Sequence, residues 1–290
     1  MTKFSRFMTK LLGSLFAYTW LIMMVIIVLV PILWMVSASF TDTTHLNRVP
    51  IFPRPWEWSL ENYRYIFTYR SSTAQQFPDY VRAFLTTLSI ASLNMVLVVI
   101  TSSLVGFAFS RYRFKGKKKV LLSMMALQMF PSFMGMIALF LLFRQFGWLN
   151  SPMRMTLIYV AGAIPYNTFI VRGFMRNIPK SLDEAAAIDG ASNLQIMMKI
   201  IVPLAVPIMG FVAVNAFMAP WLDYILPSIL MPQRETVAMW LFRLNDMNSQ
   251  PYSPIYFMTG ALFLAVPIMI VQIYMQKYVV YGLTAGAEKG

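Results

Sequence analysis

The chain has 290 residues, of which 58% are hydrophobic and only 12% are charged, and its mean hydropathy is +0.62. So apolar a composition excludes a soluble two-domain protein and indicates a chain that lies in a membrane. The net charge of +13 is spread over short loops beside apolar runs, which favours contact with anionic lipid and excludes nucleic acid as the expected partner.

Six apolar stretches follow one another along the chain, each with about the 20 residues that a helix needs to cross a bilayer. The fourth stretch is near the lower limit of that length. We therefore expect an all-α, multi-pass protein with a single transmembrane domain over residues 1–290 and with both termini on one side. The expected spans are residues 11–41, 83–110, 120–143, 155–171, 200–222 and 255–276.

The first stretch has one feature of a secretory signal, because three cations precede it. Its apolar run, residues 15–36, is longer than the core of a normal signal, so we expect it to remain as a membrane anchor.

The distribution of Lys and Arg sets the expected orientation. Fifteen of the 24 lie at the termini and in the loops after the second and fourth spans, whereas the remaining loops carry nine, together with seven of the 11 acids. The side richer in cations is expected to be cytoplasmic. This places both termini inside, together with the polar segment 179–203, called the elbow below. The loop 223–254 is then external.

The elbow is expected to form two short helices joined by a turn. Ser181 and Glu184 have the spacing of a capping box. The alanines that follow favour a helix, and Gly190 can turn the chain at its end without a Cβ clash. Ser192 or Asn193 can cap the second helix.

The residues needed for catalysis are missing from the sequence. There is no cysteine, and the one histidine, His45, lies in the first external loop, so neither a thiolate metal site nor a histidine-centred triad can be assembled. No Gly-x4-Gly-Lys-Ser/Thr phosphate loop occurs, so any ATP must be bound on another polypeptide. No acid lies within the six stretches, which disfavours an ion-coupled carrier. We predict no catalytic residue, metal site or cofactor in this chain.

Neutral polar side chains within the spans must pair between helices or face a wet pathway. Amides and hydroxyls beside aromatic faces suit a hydroxyl-rich neutral substrate, so Tyr166, Asn167, Asn215 and Trp221 are candidate pathway residues. Helix-to-helix hydrogen bonding is the alternative. We favour that alternative for Asn94 and leave both interpretations open for Asn215.

Residues 184–203, EAAAIDGASNLQIMMKIIVP, resemble the cytoplasmic EAA loop of permease subunits in ATP-binding-cassette importers, with Val202 where that family usually has Leu. Without the resemblance, the segment is an ordinary capped helix-turn-helix between spans. Similarity to the carbohydrate (maltose-type) permeases, in the binding-protein-dependent transport system inner-membrane component family, extends along essentially the whole chain. It is carried by WMVSASF at 34–40, FSRYRFKGKK at 109–118, WLDYILP at 221–227 and YGLTAGAEKG at 281–290.

This resemblance implies the type I importer permease fold in the bacterial cytoplasmic (inner) membrane. It also implies a second homologous permease subunit, two cassette ATPase subunits that hold ATP and magnesium, and an extracytoplasmic sugar-binding protein. The implied site residues fall into three groups. They are Glu184, Ala185, Ala186, Asp189 and Gly190 for ATPase coupling; Gly282, Leu283, Thr284, Ala285, Gly286, Lys289 and Gly290 for a docking tail (residues 281–290); and Trp240, Leu241 and Asn245 for the binding protein.

The expected function is that of a non-catalytic permease subunit that moves a sugar by alternating access, driven by ATP hydrolysis on partner chains. A maltose- or maltodextrin-like oligosaccharide is the favoured substrate. An importer of the same architecture for another small solute is an alternative, and so is a non-transport membrane scaffold.

Overall fold

The computed structural model describes residues 3–41, 49–51, 58–129, 132–246 and 253–287, and it describes no side chains for residues 3–10, 132–133 and 277–287. Most of the described chain is helical, and one isolated β-bridge joins Thr41 and Trp58. The expected all-α class is therefore confirmed. The helices are α1 (Lys3–Ser39), α2 (Glu61–Thr68), α3 (Asp79–Arg111), α4 (Lys117–Gln128), α5 (Met136–Gln145), α6 (Pro152–Asn177), α7 (Ser181–Ile188), α8 (Asn193–Ile196), α9 (Val202–Leu222), α10 (Ile225–Leu230), α11 (Val237–Asn245) and α12 (Pro254–Ala287).

Within the described residues, four helical segments are long and apolar enough to cross a membrane. They coincide with the first, second, fifth and sixth expected spans, and fewer than half of the residues in their most apolar stretches are buried, which leaves apolar surface for contact with lipid. The segments are Leu11–Ser39, Asp79–Arg111, Asn193–Leu222 and Pro254–Gln276.

The other two expected spans differ from these four. The third, residues 120–143, is divided between α4 and α5, with a short 3₁₀ turn, Ser132–Gly135, before α5. The sequence explains a break here because Pro131 lacks the N–H that a continuous helix needs. The fourth lies in α6, which is long enough but carries arginines near both ends. Six crossings therefore remain a prediction.

The chain divides into two compact units, of which the first comprises Met1–Asp79 and Arg243–Phe263. In this unit Asn62 closes the end of α1, since its Nδ2 donates to the carbonyl oxygens of Ser39 at 3.0 Å and Thr41 at 2.9 Å. These bonds satisfy carbonyls that the helix itself leaves without partners.

The second unit comprises Tyr80–Phe242 and Leu264–Gly290. Its apolar core forms where α3, α6, α8 and α9 meet, and it includes Val98, Phe107, Val171, Met175, Ile196, Met197 and Ile201. Between α3 and α9, the buried Asn94 Nδ2 donates to the carbonyl oxygen of Ala216 at 2.7 Å. The helix-to-helix bond predicted for Asn94 is thus confirmed.

One glycine sets how closely α3 approaches α6. A Cβ built at Gly106 would lie 2.8 Å from Val171 Cγ1 and 3.2 Å from the backbone nitrogen of Arg172. The first distance is shorter than real Cβ contacts, so with any larger residue Val171 or the backbone beside it must shift. This agrees with the use of small residues where membrane helices pack closely.

We expect Gly106→Ala to destabilise the protein by about 1 kcal/mol, because overpacking costs about 1–3 kcal/mol and the better helix propensity of alanine offsets about 1 kcal/mol of that cost. Gly162→Ala is the matched control, since nothing lies within 4 Å of a Cβ at Gly162 in the same type of helix. Thermal unfolding in detergent measures both. A drop in the melting temperature for Gly106→Ala no greater than that for Gly162→Ala would contradict the close approach.

Candidate functional site

The turn of the elbow is a complete helix C-cap. Gly190 has φ +84°, the left-handed conformation that glycine adopts without strain. Its N–H donates to the carbonyl of Ala187 at 3.1 Å, and the N–H of Ala191 donates to the carbonyl of Ala186 at 2.9 Å. This pair of bonds is the Schellman motif that ends α7. The turn predicted at Gly190 is confirmed.

The two predicted caps have different outcomes. The capping box at Ser181 and Glu184 is wrong, because α7 already begins at Ser181, no side chain caps it, and the Glu184 N–H donates to the carbonyl of Lys180 at 3.0 Å. The cap of the second helix is confirmed: Ser192 Oγ accepts from the Gln195 N–H at 3.3 Å, while the Gln195 side chain accepts from the Ser192 N–H at 2.8 Å. The true capping box therefore follows the turn.

The outer face of the elbow is exposed. Helix α7 has no buried residue, and Glu184, Ala185, Asp189 and Gly190 are all exposed, whereas Ala186 is half-buried against the core. Apolar side chains lie on the same segment. Ile188 is 86% exposed and Leu194 is 66% exposed. The outer face of the elbow is therefore accessible.

The inner side of the elbow is fixed by packing. Ile196, Met197 and Ile201 are buried in the core of the second unit. A π-helical segment, Met197–Ile201, connects α8 to α9. Pro203 follows this segment and cannot donate a backbone hydrogen bond to the preceding turn, which favours the wider winding. The elbow is thus continuous with a long apolar helix.

An ion pair joins the elbow to the end of α3. Arg111 Nε lies 2.6 Å from Asp183 Oδ2, with the two side chains only 6% and 19% exposed. The same guanidinium donates to the carbonyl oxygens of Met175 at 3.1 Å and Ile178 at 3.2 Å, at the end of α6. One arginine therefore connects α3, α6 and the first turn of α7, a group of contacts called the Arg111 clamp below.

The four candidate pathway residues do not form one cluster. Tyr166 is 54% exposed on α6, while the adjacent Asn167 is buried and donates to the carbonyl of Ala163 in its own helix at 2.9 Å. Trp221 is completely buried and packs its ring on Phe84, with centroids 5.2 Å apart. Of the four, Tyr166 and Asn215 present exposed side chains.

Asn215 lines a cavity between α9 and α12. The cavity has a volume of about 300 Å³, and Gln272 of α12 supplies a second amide to a lining that is otherwise apolar. Asn215 Nδ2 donates to the carbonyl of Phe211 in its own helix at 2.9 Å. Contact of the exposed Asn215 and Gln272 amides with lipid would cost free energy. This favours a water-filled pathway or a partner subunit at the α9–α12 cavity.

The candidate residues for contact with a binding protein lie on α11 or at its end. Trp240 is 1% exposed and Leu241 is 6% exposed, so their side chains are packed inside the second unit, with the Trp240 ring 4.9 Å from that of Tyr80. Asn245 is exposed at the end of the helix. The alternative of packing at the outer ends of the spans therefore describes Trp240 and Leu241, and binding-protein contact remains a prediction for Asn245.

The candidate docking tail continues the last helix. Backbone residues up to Ala287 belong to α12, so Gly282, Leu283, Thr284, Ala285 and Gly286 lie in a helical segment whose side chains are outside the description. Lys289 and Gly290 fall outside the described residues, as does His45. The docking role of the tail remains a prediction.

Sequence reasoning missed the Arg111 clamp and Gln272. In the sequence Arg111 is one of several clustered cations, yet it is the last residue of α3, where a long side chain can reach neighbouring helix ends. Gln272 lies in an apolar run as an isolated amide, and that isolation was the available signal.

Comparison with known proteins agrees with this geometry. Residues 102–280 match the family model described as binding-protein-dependent transport system inner membrane component. The chain is 37% identical to the galactooligosaccharides transport system permease protein GanQ of Bacillus subtilis (strain 168), covering 95% of each chain. It is 34% identical to the maltodextrin transport system permease protein MdxG of the same organism, covering 97% of this chain and 98% of the relative.

Among solved structures, the fold matches a chain of a bacterial ABC transporter involved in the import of the acidic polysaccharide alginate. The TM-score is 0.70 at 21% identity, over 96% of this chain and 99% of the matched chain. At this identity the match establishes the shared fold. The family match over most of the chain, the sugar-permease relatives and the apolar helices together show that this chain is an inner-membrane transporter permease of the binding-protein-dependent transport system inner membrane component family.

Proposed function

We propose that this chain is one of two permease subunits of an ATP-driven sugar importer, and that the elbow transmits ATPase movement to the membrane helices. The observation that carries the proposal is the elbow itself. Its outer face is exposed, its turn is fixed by the Schellman motif at Gly190, and the Arg111 clamp ties it to two membrane helices. A segment built in this way can accept a partner on one side and move helices on the other.

The proposed topology has six crossings with both termini in the cytoplasm. The α4–α5 pair and α6 supply the third and fourth crossings beside the four apolar segments. The excess of Lys and Arg at the termini and beside the elbow supports this orientation. The elbow then faces the compartment that contains ATP.

The proposed partners on that side are two cassette ATPases, which hold ATP and magnesium. Glu184, Asp189 and Gly190 present an exposed surface to a cassette, and the exposed Ile188 adds an apolar contact. Ala185 and Ala186 keep α7 thin enough to enter a cleft. The chain itself has no phosphate-binding loop, so its role is non-catalytic. The tail, including Lys289 and Gly290, is proposed as a second point of docking.

The proposed substrate is a neutral oligosaccharide of the maltodextrin type, delivered by an extracytoplasmic binding protein that contacts the external loop near Asn245. Two relatives are named for galactooligosaccharides and for maltodextrin, which supports the sugar class. The amides of Asn215 and Gln272 are suited to sugar hydroxyls at the α9–α12 cavity. If closure of the two cassettes moves the elbows of the two permease subunits together, the membrane helices change position and alternating access results.

Purification of the chain from its native membrane, followed by ATPase assays in lipid, tests the proposal. We expect a second permease and two cassettes to co-purify, and a maltodextrin with its binding protein to stimulate ATP hydrolysis. Galactooligosaccharide tests the same architecture with another sugar. Recovery of the chain alone, stable and without ATPase, would favour the scaffold alternative, and stimulation by a non-sugar solute would reassign the substrate.

A further inference from the structure

A second cavity, of about 640 Å³, lies between the start of α4 and the last turns of α6, at the elbow end of these helices. It is separate from the α9–α12 cavity and contains no residue of the elbow. Its lining combines four cations with an apolar wall, namely Lys117, Lys118, Lys119, Arg172, Leu121 and Leu122.

The positive charges of this cavity are not neutralised by negative charges in its lining. No acid occurs among its lining residues, all of which the structure describes. Lys117 is half-buried, and its pKa is lowered first by burial and then by the nearby charges of Arg172, Arg176, Lys180 and Arg113. Positive charges this close repel one another, so an anion placed among them would be stabilised.

Arg172 provides independent evidence for a missing partner. Its Nε is buried, and it has no hydrogen-bond partner among the described residues. A buried guanidinium nitrogen without an acceptor costs free energy, and because Arg172 also lines the cavity, an anion bound there would compensate the charge of the guanidinium. In contrast, Lys117 Nζ already donates to the carbonyl of Tyr112 at 2.9 Å, which orients that side chain.

The apolar wall defines what else the ligand must contain. Leu122 is 54% exposed and Phe114 is 44% exposed, while Leu121 is buried. These side chains begin the apolar surface of α4 immediately after its three lysines. A ligand that fits has an anionic head and a hydrocarbon part.

We propose that this cavity binds an anionic phospholipid, with its phosphate among Lys117, Lys118 and Arg172 and its acyl chains along Leu121 and Leu122. The membrane in which the protein resides supplies such lipids at high local concentration. The inference does not depend on which solute is transported. Basic pockets between membrane helices are suited to anionic headgroups, because phosphate gains both charge and hydrogen bonds there.

A free phosphate ion and a cassette ATPase are weaker fits. Inorganic phosphate would leave the exposed Leu122 in water, and a protein surface would have to insert into a concave cavity lined by an apolar wall. A single phospholipid molecule can contact both the cations and the apolar wall of the cavity.

The test uses the full-length chain, purified in neutral detergent with whatever partners accompany it. Dioctanoyl phosphatidylglycerol is titrated and counted by native mass spectrometry, with dioctanoyl phosphatidylcholine as the uncharged-headgroup comparison. Each cation near an anionic headgroup contributes about five-fold in affinity, so Lys117→Gln, Lys118→Gln and Arg172→Gln together are expected to weaken phosphatidylglycerol binding by about 100-fold.

The matched control removes three exposed cations elsewhere, by Arg64→Gln, Arg70→Gln and Arg144→Gln, and we expect it to keep wild-type binding. Equal binding by the cavity variant and the control would overturn the proposal.

The Leu122→Ser variant separates the possible occupants. We expect it to weaken phosphatidylglycerol binding without changing the charge of the cavity. Full competition by inorganic phosphate, with no effect of Leu122→Ser, would instead establish a free-anion site and overturn the lipid proposal. Loss of co-purifying cassettes from the cavity variant with phosphatidylglycerol binding retained would assign the surface to the ATPase and overturn it too.

Discussion

Gly190→Pro is expected to leave the chain inserted and folded but to abolish sugar-stimulated ATP hydrolysis and uptake. Proline fixes φ near −65°, whereas Gly190 has φ +84°, and proline also removes the N–H that donates to Ala187. The local cost is about 3 kcal/mol or more, which exceeds what a two-turn helix without buried residues can withstand. We therefore expect α7 to lose its end and its orientation.

The rest of the bundle does not depend on that turn. Helix α7 has no fully buried residue, and Asp183, which the Arg111 clamp holds, lies in its first turn away from Gly190, so the melting temperature of the apolar helices is expected to change little. If the elbow no longer binds the cassette, we expect uptake to fall at least about ten-fold. A ten-fold change corresponds to a coupling free energy of about 1.4 kcal/mol.

A graded series at the same position serves as the control. Asparagine tolerates the left-handed region, so Gly190→Asn should retain most of the uptake, and Gly190→Ala should lie between the asparagine and proline variants because the conformation costs alanine about 1 kcal/mol. Uptake and ATPase activity are measured on complexes with equal amounts of inserted chain. Wild-type uptake by Gly190→Pro would refute the coupling role of this turn.

The elements predicted well from sequence are those determined locally. Four of the expected spans depend on composition over 20 or more residues, and four apolar helical segments coincide with them. The turn at Gly190 and the cap at Ser192 depend on residues within one helical turn, and both are confirmed. The backbone conformation of such a turn or cap is determined by residues that are adjacent in sequence.

The elements that sequence reasoning missed depend on contacts between distant segments. Trp240 looks like an exposed external aromatic, but Tyr80 packs on it from a position 160 residues earlier in the chain. Ser181 has the right spacing to cap α7, yet α7 starts at Ser181 itself, and Asp183 in its first turn pairs with Arg111 from α3. Periodicity does not encode such pairings.

Disruption of the Arg111 clamp is expected to detach the elbow from α3 and α6. Removing one partner of a buried ion pair costs about 3–5 kcal/mol, because the other charge is left uncompensated. Arg111 is the more buried partner and also donates to the carbonyls of Met175 and Ile178. We therefore expect Arg111→Gln to be more damaging than Asp183→Asn.

Uptake and cassette retention during purification measure this effect. Both variants should lose cassettes, with Arg111→Gln losing more, while the exposed Arg113→Gln serves as the control for charge and should behave as wild type. Arg111→Lys should not rescue the function, since one ammonium cannot reach a carboxylate and two carbonyls in the fork geometry of a guanidinium.

The charge-swapped pair, Arg111→Asp with Asp183→Arg, separates attraction from geometry. The swap restores opposite charges but leaves the Met175 and Ile178 carbonyls without a donor, because aspartate at position 111 cannot donate to them. We therefore expect partial recovery relative to Arg111→Asp alone, and less uptake than in wild type. Full recovery would mean that the ion pair alone fixes the elbow. No recovery, together with an unchanged cassette content in the single variants, would mean that α7 is held in place by its own backbone and by packing of α8.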